Sequence, residues 1–177
     1  AKRFRVEDLT VVVLDRDRHS RLIAEIRETG ARIKLISHGD IAGGLMPAIE
    51  GTGVDVLMGI GGAPEAVITA CALKCMNGEI QCQLWPRSEE ERQQGEANGI
   101  DFERVLSIDD LAGSDDIFFA TTGVTDGELL KGVLYTSEGA KTWSLAMRAR
   151  SGTVRFVEAT HNFDKLMKIA GLPYEKR

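Results

Sequence analysis

With 177 residues, 43% of them hydrophobic and 28% charged, the chain has an ordinary globular composition and the length for a single domain spanning residues 1–177 with one sizeable core. A formal net charge of −5 argues against general nucleic-acid binding, which needs a basic stripe. No apolar run reaches the length of a membrane span, and Lys2, Arg3 and Arg5 lead into no apolar signal core. Cys71, Cys75 and Cys82 are an odd set. They read as buried reduced thiols, since a zinc site lacks a fourth ligand and a disulfide framework needs an even number. A cytoplasmic compartment is the default expectation.

Residues 9–14 form a continuous β-branched and leucine run, the mark of a strand buried on both faces. A charged turn follows at 15–18, then a helix on the Leu22, Ile23, Ile26 pattern, closed by Gly30 as a C-terminal cap. A second strand is expected at 32–36 and an apolar helix at 41–50. A third strand at 54–58 enters a glycine-rich turn and a helix over 64–76. A fourth strand at 80–84 leads into a polar helix over 86–98. Four strand–helix units in a row predict an α/β fold with a mainly parallel layered sheet and helices on both faces. Beyond Asp115 the rhythm changes. Strands are expected at 117–121, 133–136, 141–150 and 153–160, with an irregular loop at 123–132 and a hairpin turn at Ser151-Gly152. These are added antiparallel strands near the C-terminus, extending the sheet or forming a flap. Asn162 caps a last helix over 163–170, with His161 expected to belong to the same cap.

In open α/β sheets, ligands bind beyond the carboxyl ends of the strands. Three loops reach that edge. The third, Gly59-Ile60-Gly61-Gly62-Ala63-Pro64-Glu65, is the most informative. Its glycines admit a ligand close to the backbone, Pro64 suits a first helical turn, and the helix start offers unpaired N–H groups to an anion. Glu65 is placed to ligate a hard divalent cation, or simply to favour the helix dipole. Phosphate beside metal is the chemistry of phosphoryl transfer or phosphate-ester hydrolysis. A dinucleotide fingerprint fits poorly, because Pro64 stands where the third glycine belongs.

The first loop carries Asp15, Arg16, Asp17, Arg18 and His19. Its arginines either bind phosphate or pair with the neighbouring aspartates in a solvated turn. His19 is expected to pack against the helix start. The second loop carries His38, Gly39 and Asp40; Asp40 either accepts sugar hydroxyls or caps its helix, and His38 binds phosphate, moves a proton or lies idle at the surface. The acidic run at 89–91 reads as a solvated helix face.

The segments at 11–19, 38–43 and 59–65, followed by Leu84-Trp85-Pro86-Arg87, the run at 120–127 and Glu158-Ala159-Thr160-His161, resemble the C-terminal half of the class II (GlpX-type) fructose-1,6-bisphosphatases over nearly the whole chain. The resemblance implies a sugar-phosphatase-like α/β fold dependent on Mn2+ or Mg2+. It implies hydrolysis of the 1-phosphate of fructose 1,6-bisphosphate in gluconeogenesis, with sedoheptulose 1,7-bisphosphate accepted by some members. Carried across by motif, Glu65 becomes a metal ligand and Gly62 lies against the substrate. Arg16, Asp17 and Arg18 form one substrate-binding segment and His38, Gly39 and Asp40 the other. This sequence departs from the family's pattern at His38, usually Asp, and at Asp17, usually Pro. The family's N-terminal half supplies most metal-binding carboxylates, and no comparable cluster occurs here. The implied partners are therefore a sugar bisphosphate and that N-terminal half, with self-association into a homo-oligomer. No catalytic residue is assigned to this chain, which alone is expected to be a poor catalyst. A non-catalytic sugar-phosphate binding module, or an unrelated small enzyme using Glu65 and Asp40, are the alternatives.

Overall fold

The computed structural model describes residues 4–170. Strand β1 (Thr10–Leu14) lies between β2 (Arg32–Ile36) and β3 (Val56–Leu57), both parallel to it, in the order β2-β1-β3. Alternation along β1 sends Val11 and Val13 to one face and Val12 and Leu14 to the other. The first pair meets Ile23 and Ile26 of α1 (Ser20–Glu28), and the second meets Ile36, Met46 and Val54. Helix α2 (Asp40–Leu45) covers that second face, and α3 (Ala63–Cys75) packs on α2. Two glycines let α2 settle there. A side-chain carbon at Gly43 would meet Ile36 at 2.9 Å, and one at Gly44 would meet Thr69 of α3 at 2.6 Å.

Much of α3 carries apolar residues around its circumference, and the structure explains why: it is packed from two sides. Its Ala72 and Cys75 join Leu45 against Leu145 and Met147 of the antiparallel sheet, which lies beyond the helices. That sheet contains β6 (Phe118–Thr122), β7 (Leu134–Tyr135), β8 (Gly139–Arg148) and β9 (Thr153–Asn162), with β8 paired to the other three. Helix, parallel sheet, helices and antiparallel sheet are thus stacked in layers. The last turn of α3 is anchored by Lys74, whose ammonium donates to Asp109 (2.8 Å) and Asp115 (3.0 Å). These hydrogen bonds raise its pKa above 10.5. The anchor is therefore complete below the ordinary lysine pKa and is lost as pH rises through the raised value.

The α/β architecture with antiparallel strands toward the C-terminus is as expected, but the fourth strand is not part of the parallel sheet. Strand β4 (Cys82–Gln83) pairs antiparallel with β5 (Val105–Leu106). Residues 80–84 alternate apolar and polar, which suits a half-covered strand and not one buried on both faces. The following helix α4 (Glu89–Ala97) is polar nearly all round and offers no apolar stripe to cover a sheet. Ser88 and Glu91 close its start, with the Ser88 hydroxyl accepting the Glu91 N–H and Glu91 accepting the N–H of Arg87. A short helix, α5 (Ile108–Leu111), is held by a Ser107–Asp110 capping box. Helix α6 (Phe163–Ala170) starts at Asn162, whose side chain accepts the Lys165 N–H. His161 is outside that cap. It lies on β9 and shares a 2.8 Å hydrogen bond with Thr142.

Among the cysteines, only Cys75 is fully buried; Cys71 and Cys82 are partly open. Burial pushes the Cys75 thiol above its ordinary pKa, with the neighbouring Cys71 adding to it. Among the described residues no three histidine, cysteine or acidic side chains cluster to hold a metal, and no helix is long and apolar enough to cross a membrane.

Candidate functional site

The loops after β1, β2 and β3 meet at one edge of the parallel sheet, as parallel strands require. What joins them is a set of side-chain bonds to backbone carbonyls. Arg16 donates to its neighbour's carbonyl at Asp15 (2.9 Å) and across to Ser37 of the second loop (2.6 Å). Arg18 donates through Nε to Ile60 of the glycine turn (2.9 Å). Neither arginine forms an ion pair with Asp15 or Asp17 among the described residues. The turn is exposed, as a solvated turn would be, but the pairing of its arginines with Asp15 and Asp17 is not what forms. A guanidinium has five N–H donors. Arg16 spends two on carbonyls and Arg18 one, so both retain donors for an anion while their planes are held in place.

His19 is fully buried. Its Nδ1 lies 2.8 Å from the carbonyl of Leu14, which can only accept, so Nδ1 carries the proton. Nε2 then accepts the N–H of Ile60 at 2.9 Å. This tautomer is assigned from the hydrogen-bond network. His19 does pack against the start of α1, and it also ties the end of β1 to the glycine turn. A single histidine in a charged turn gives no sequence signal of that bond.

In the second loop, Gly39 takes φ 93°, a left-handed conformation that suits glycine, and precedes α2. Asp40 is the first residue of α2 and makes no side-chain cap. Its carboxylate instead lies toward the glycine turn: Oδ2 is 3.4 Å from where a side-chain carbon on Gly61 would stand. His38 is exposed, with Nδ1 2.7 Å from the Ser37 hydroxyl. In the third loop, Gly62 precedes α3 and Pro64 occupies its first turn, leaving the turn's N–H groups at a helix start. The Glu65 carboxylate folds back over Gly62, because a side-chain carbon placed there would fall on its Oε2. Asp17 is exposed at the start of the turn that leads into α1.

Two carboxylates, Asp40 and Glu65, thus lie against consecutive glycines at a helix N-terminus. The donor set is hard oxygen, which fits Mg2+ or Mn2+ and not a soft metal. It fits as part of a coordination sphere, with Glu65 as the ligand this chain offers, since one carboxylate falls short of the ligands such an ion takes. The charge balance agrees: the three loops carry Asp15, Asp17, Asp40 and Glu65 against Arg16 and Arg18, and a cation there would offset the excess of carboxylates. Gly62→Ala follows as a test. The added carbon displaces only the flexible end of Glu65, so thermal stability stays near wild type, and a metal-ligand role for Glu65 predicts a fall in Mn2+ affinity, readable by calorimetry alongside a melting curve.

A cavity of about 830 Å3 lies to one side. It runs between the second loop, at His38 and Gly39, and the start of the 123–132 loop, at Thr121, Thr122 and Asp126. Arg16, Arg18, Gly62 and Glu65 are not in its walls. Asp126 there serves the loop itself by accepting the Gly132 N–H at 2.9 Å. The motif at 120–127 therefore forms a wall of the cleft adjoining the loop at His38 and Gly39, a placement that no local pattern in the sequence discloses.

Residues 1–161 match the family described as bacterial fructose-1,6-bisphosphatase, glpX-encoded. The chain belongs to that family. It is 45% identical over 172 residues to the D-fructose 1,6-bisphosphatase class 2/sedoheptulose 1,7-bisphosphatase of Synechococcus sp. (strain JA-3-3Ab), covering 90% of this chain and 50% of the relative. The protein of the same description from Gloeobacter violaceus is 41% identical with the same coverage. The chain thus spans about half the length of the curated relatives it matches.

Proposed function

We propose that this chain is the substrate-binding half of a metal-dependent hydrolase that converts fructose 1,6-bisphosphate to fructose 6-phosphate and phosphate. The observation that carries the reading is the joining of three family-matched loops at one helix N-terminus, with Arg16 and Arg18 bonded across the loops and Asp40 and Glu65 lying against Gly61 and Gly62. Arg16, Asp17 and Arg18 form the segment that receives the phosphate that is not cleaved, with the arginines as its donors. His38, Gly39 and Asp40 bind the sugar hydroxyls, and Gly62 lets the substrate approach the backbone. Glu65 holds Mn2+ or Mg2+, with the remaining ligands coming from the other half of the enzyme. When bound, such an ion polarises the phosphoryl oxygens and activates water. This chain's own residues bind and orient.

The reading extends to a cytoplasmic enzyme that associates through exposed sheet surface, for β9 presents Phe156 at 61% exposure. Sedoheptulose 1,7-bisphosphate, named for the relatives, is the second substrate to assay. The test is phosphate release from fructose 1,6-bisphosphate with Mn2+, using this chain alone and then mixed with the remaining half of the Synechococcus relative. The expected result is silence alone and turnover in the mixture. Turnover by the isolated chain overturns the division of ligands. Bisphosphate binding without turnover in a mixture that does assemble favours a binding module.

A further inference from the structure

A turn that meets an anion through peptide N–H groups depends on which way those peptides face. His19 touches neither phosphate donors nor metal ligand, yet it governs one of them. Its Nε2 accepts the Ile60 N–H at 2.9 Å and stands 3.2 Å from the Ile60 carbonyl, while Arg18 donates to that same carbonyl at 2.9 Å. A trans peptide is planar, so the N–H of Gly61 points opposite to the carbonyl of Ile60. The grip of Arg18 on the carbonyl turns the Gly61 N–H away from it, while His19 holds the other end of Ile60 through the N–H of the Gly59–Ile60 peptide. That N–H has no acceptor among the described residues. With Gly59 before it and Gly61 and Gly62 after it, the Ile60 segment has little intrinsic resistance to rotating. Gly59 is also close-packed on the ring, since a side-chain carbon there would lie 3.3 Å from Cε1 and Nε2.

We infer that His19 is a positioning residue: as the Nδ1–H tautomer it holds the Gly59–Ile60 peptide and, together with Arg18 on the Ile60 carbonyl, fixes Ile60 in the conformation that presents the Gly61 N–H to a phosphate. The inference rests on the phosphate-binding reading of the glycine turn. The two nitrogens have separable duties. Nδ1 holds the ring to Leu14, and Nε2 holds the turn. Asn at this position reaches as far as Nδ1 and keeps the Leu14 bond only. Gln reaches as far as Nε2 and keeps an acceptor for Ile60. A merely structural histidine would favour Asn, which satisfies the same strand; a positioning one favours Gln.

The experiment is NMR on this chain and on His19→Asn and His19→Gln, titrating inorganic phosphate and fructose 1,6-bisphosphate against the Gly61 and Gly62 amides. Ring nitrogen shifts of His19 should show Nδ1 protonated and Nε2 bare. His19→Asn should weaken both ligands about tenfold, the cost of one buried group losing its partner, and expose the Ile60 amide to hydrogen exchange. His19→Gln should bind within about threefold of wild type and keep that amide protected. A protonated Nε2, an Asn variant that binds like wild type, or a Gln variant no better than Asn each overturns the inference. If the wild-type chain binds neither ligand, the phosphate reading fails, and the tautomer with the Ile60 exchange rates still decides the lock by itself. Should one variant not fold, the tautomer and the other variant's exchange rate decide it.

Discussion

Glu65→Gln in the full-length protein is expected to lower turnover of fructose 1,6-bisphosphate about 1,000-fold, because a metal's charge stabilisation is worth several kcal/mol and each 1.36 kcal/mol is tenfold. The carboxamide is nearly isosteric but carries no charge for a divalent cation. Glu65 is exposed and forms no ion pair among the described residues, so the fold has no stake in its charge. Bisphosphate binding to this chain without metal should change little, since Arg16 and Arg18 are tied to Ser37 and Ile60 and not to Glu65. The measurement pairs steady-state kinetics at saturating Mn2+ with a metal-free binding titration. Turnover within about tenfold of wild type would remove Glu65 from the metal site. Rescue of the variant by raised Mn2+ would instead locate the loss in affinity, consistent with a ligand.

Gly139→Ala is expected to be the most damaging added methyl among the described glycines. The added carbon falls on the backbone carbonyl of His161, with the carbonyl carbon only 2.8 Å away. Gly139 opens β8 opposite Asn162, at the end of the ten-residue pairing with β9. Backbone in a paired strand has nowhere to go, so the cost is about 3 kcal/mol or more, the upper end of overpacking effects. For a chain of this size that lowers the melting temperature by roughly 6–12 °C. Gly62→Ala makes the contrast: there the obstacle is the tip of a flexible carboxylate, and the stability change should be small. If both variants melt alike, the close approach of β8 and β9 at this end is not a feature of the molecule in solution.

Local signals read well wherever one element carries its own evidence. The β-branched run at 10–14, the Gly30 cap after α1, the proline at the start of α3 and the Asn162 cap each act within a few residues. The site loops were legible for the same reason, since a parallel strand delivers its carboxyl end to a known edge. Strand β4 was misplaced because a short alternating segment says that one face is covered without saying by which sheet. His161 was misplaced because one position separates a strand's last residues from a helix cap.

The amino-acid sequence by itself thus determined the family, the alternation of strands and helices up to α3, and the loops that carry Arg16, Arg18, Asp40, Gly62 and Glu65. Those follow from periodicity, capping and glycine placement, all of them short-range. Only the tertiary structure decided that the arginines grip carbonyls of other loops, that His19 holds the glycine turn, and that Asp40 lies beside Gly61 and not in a cap. Each of those bonds closes a gap of more than 20 residues along the chain. Their partners are main-chain groups that every residue possesses, so no choice of side chain announces them.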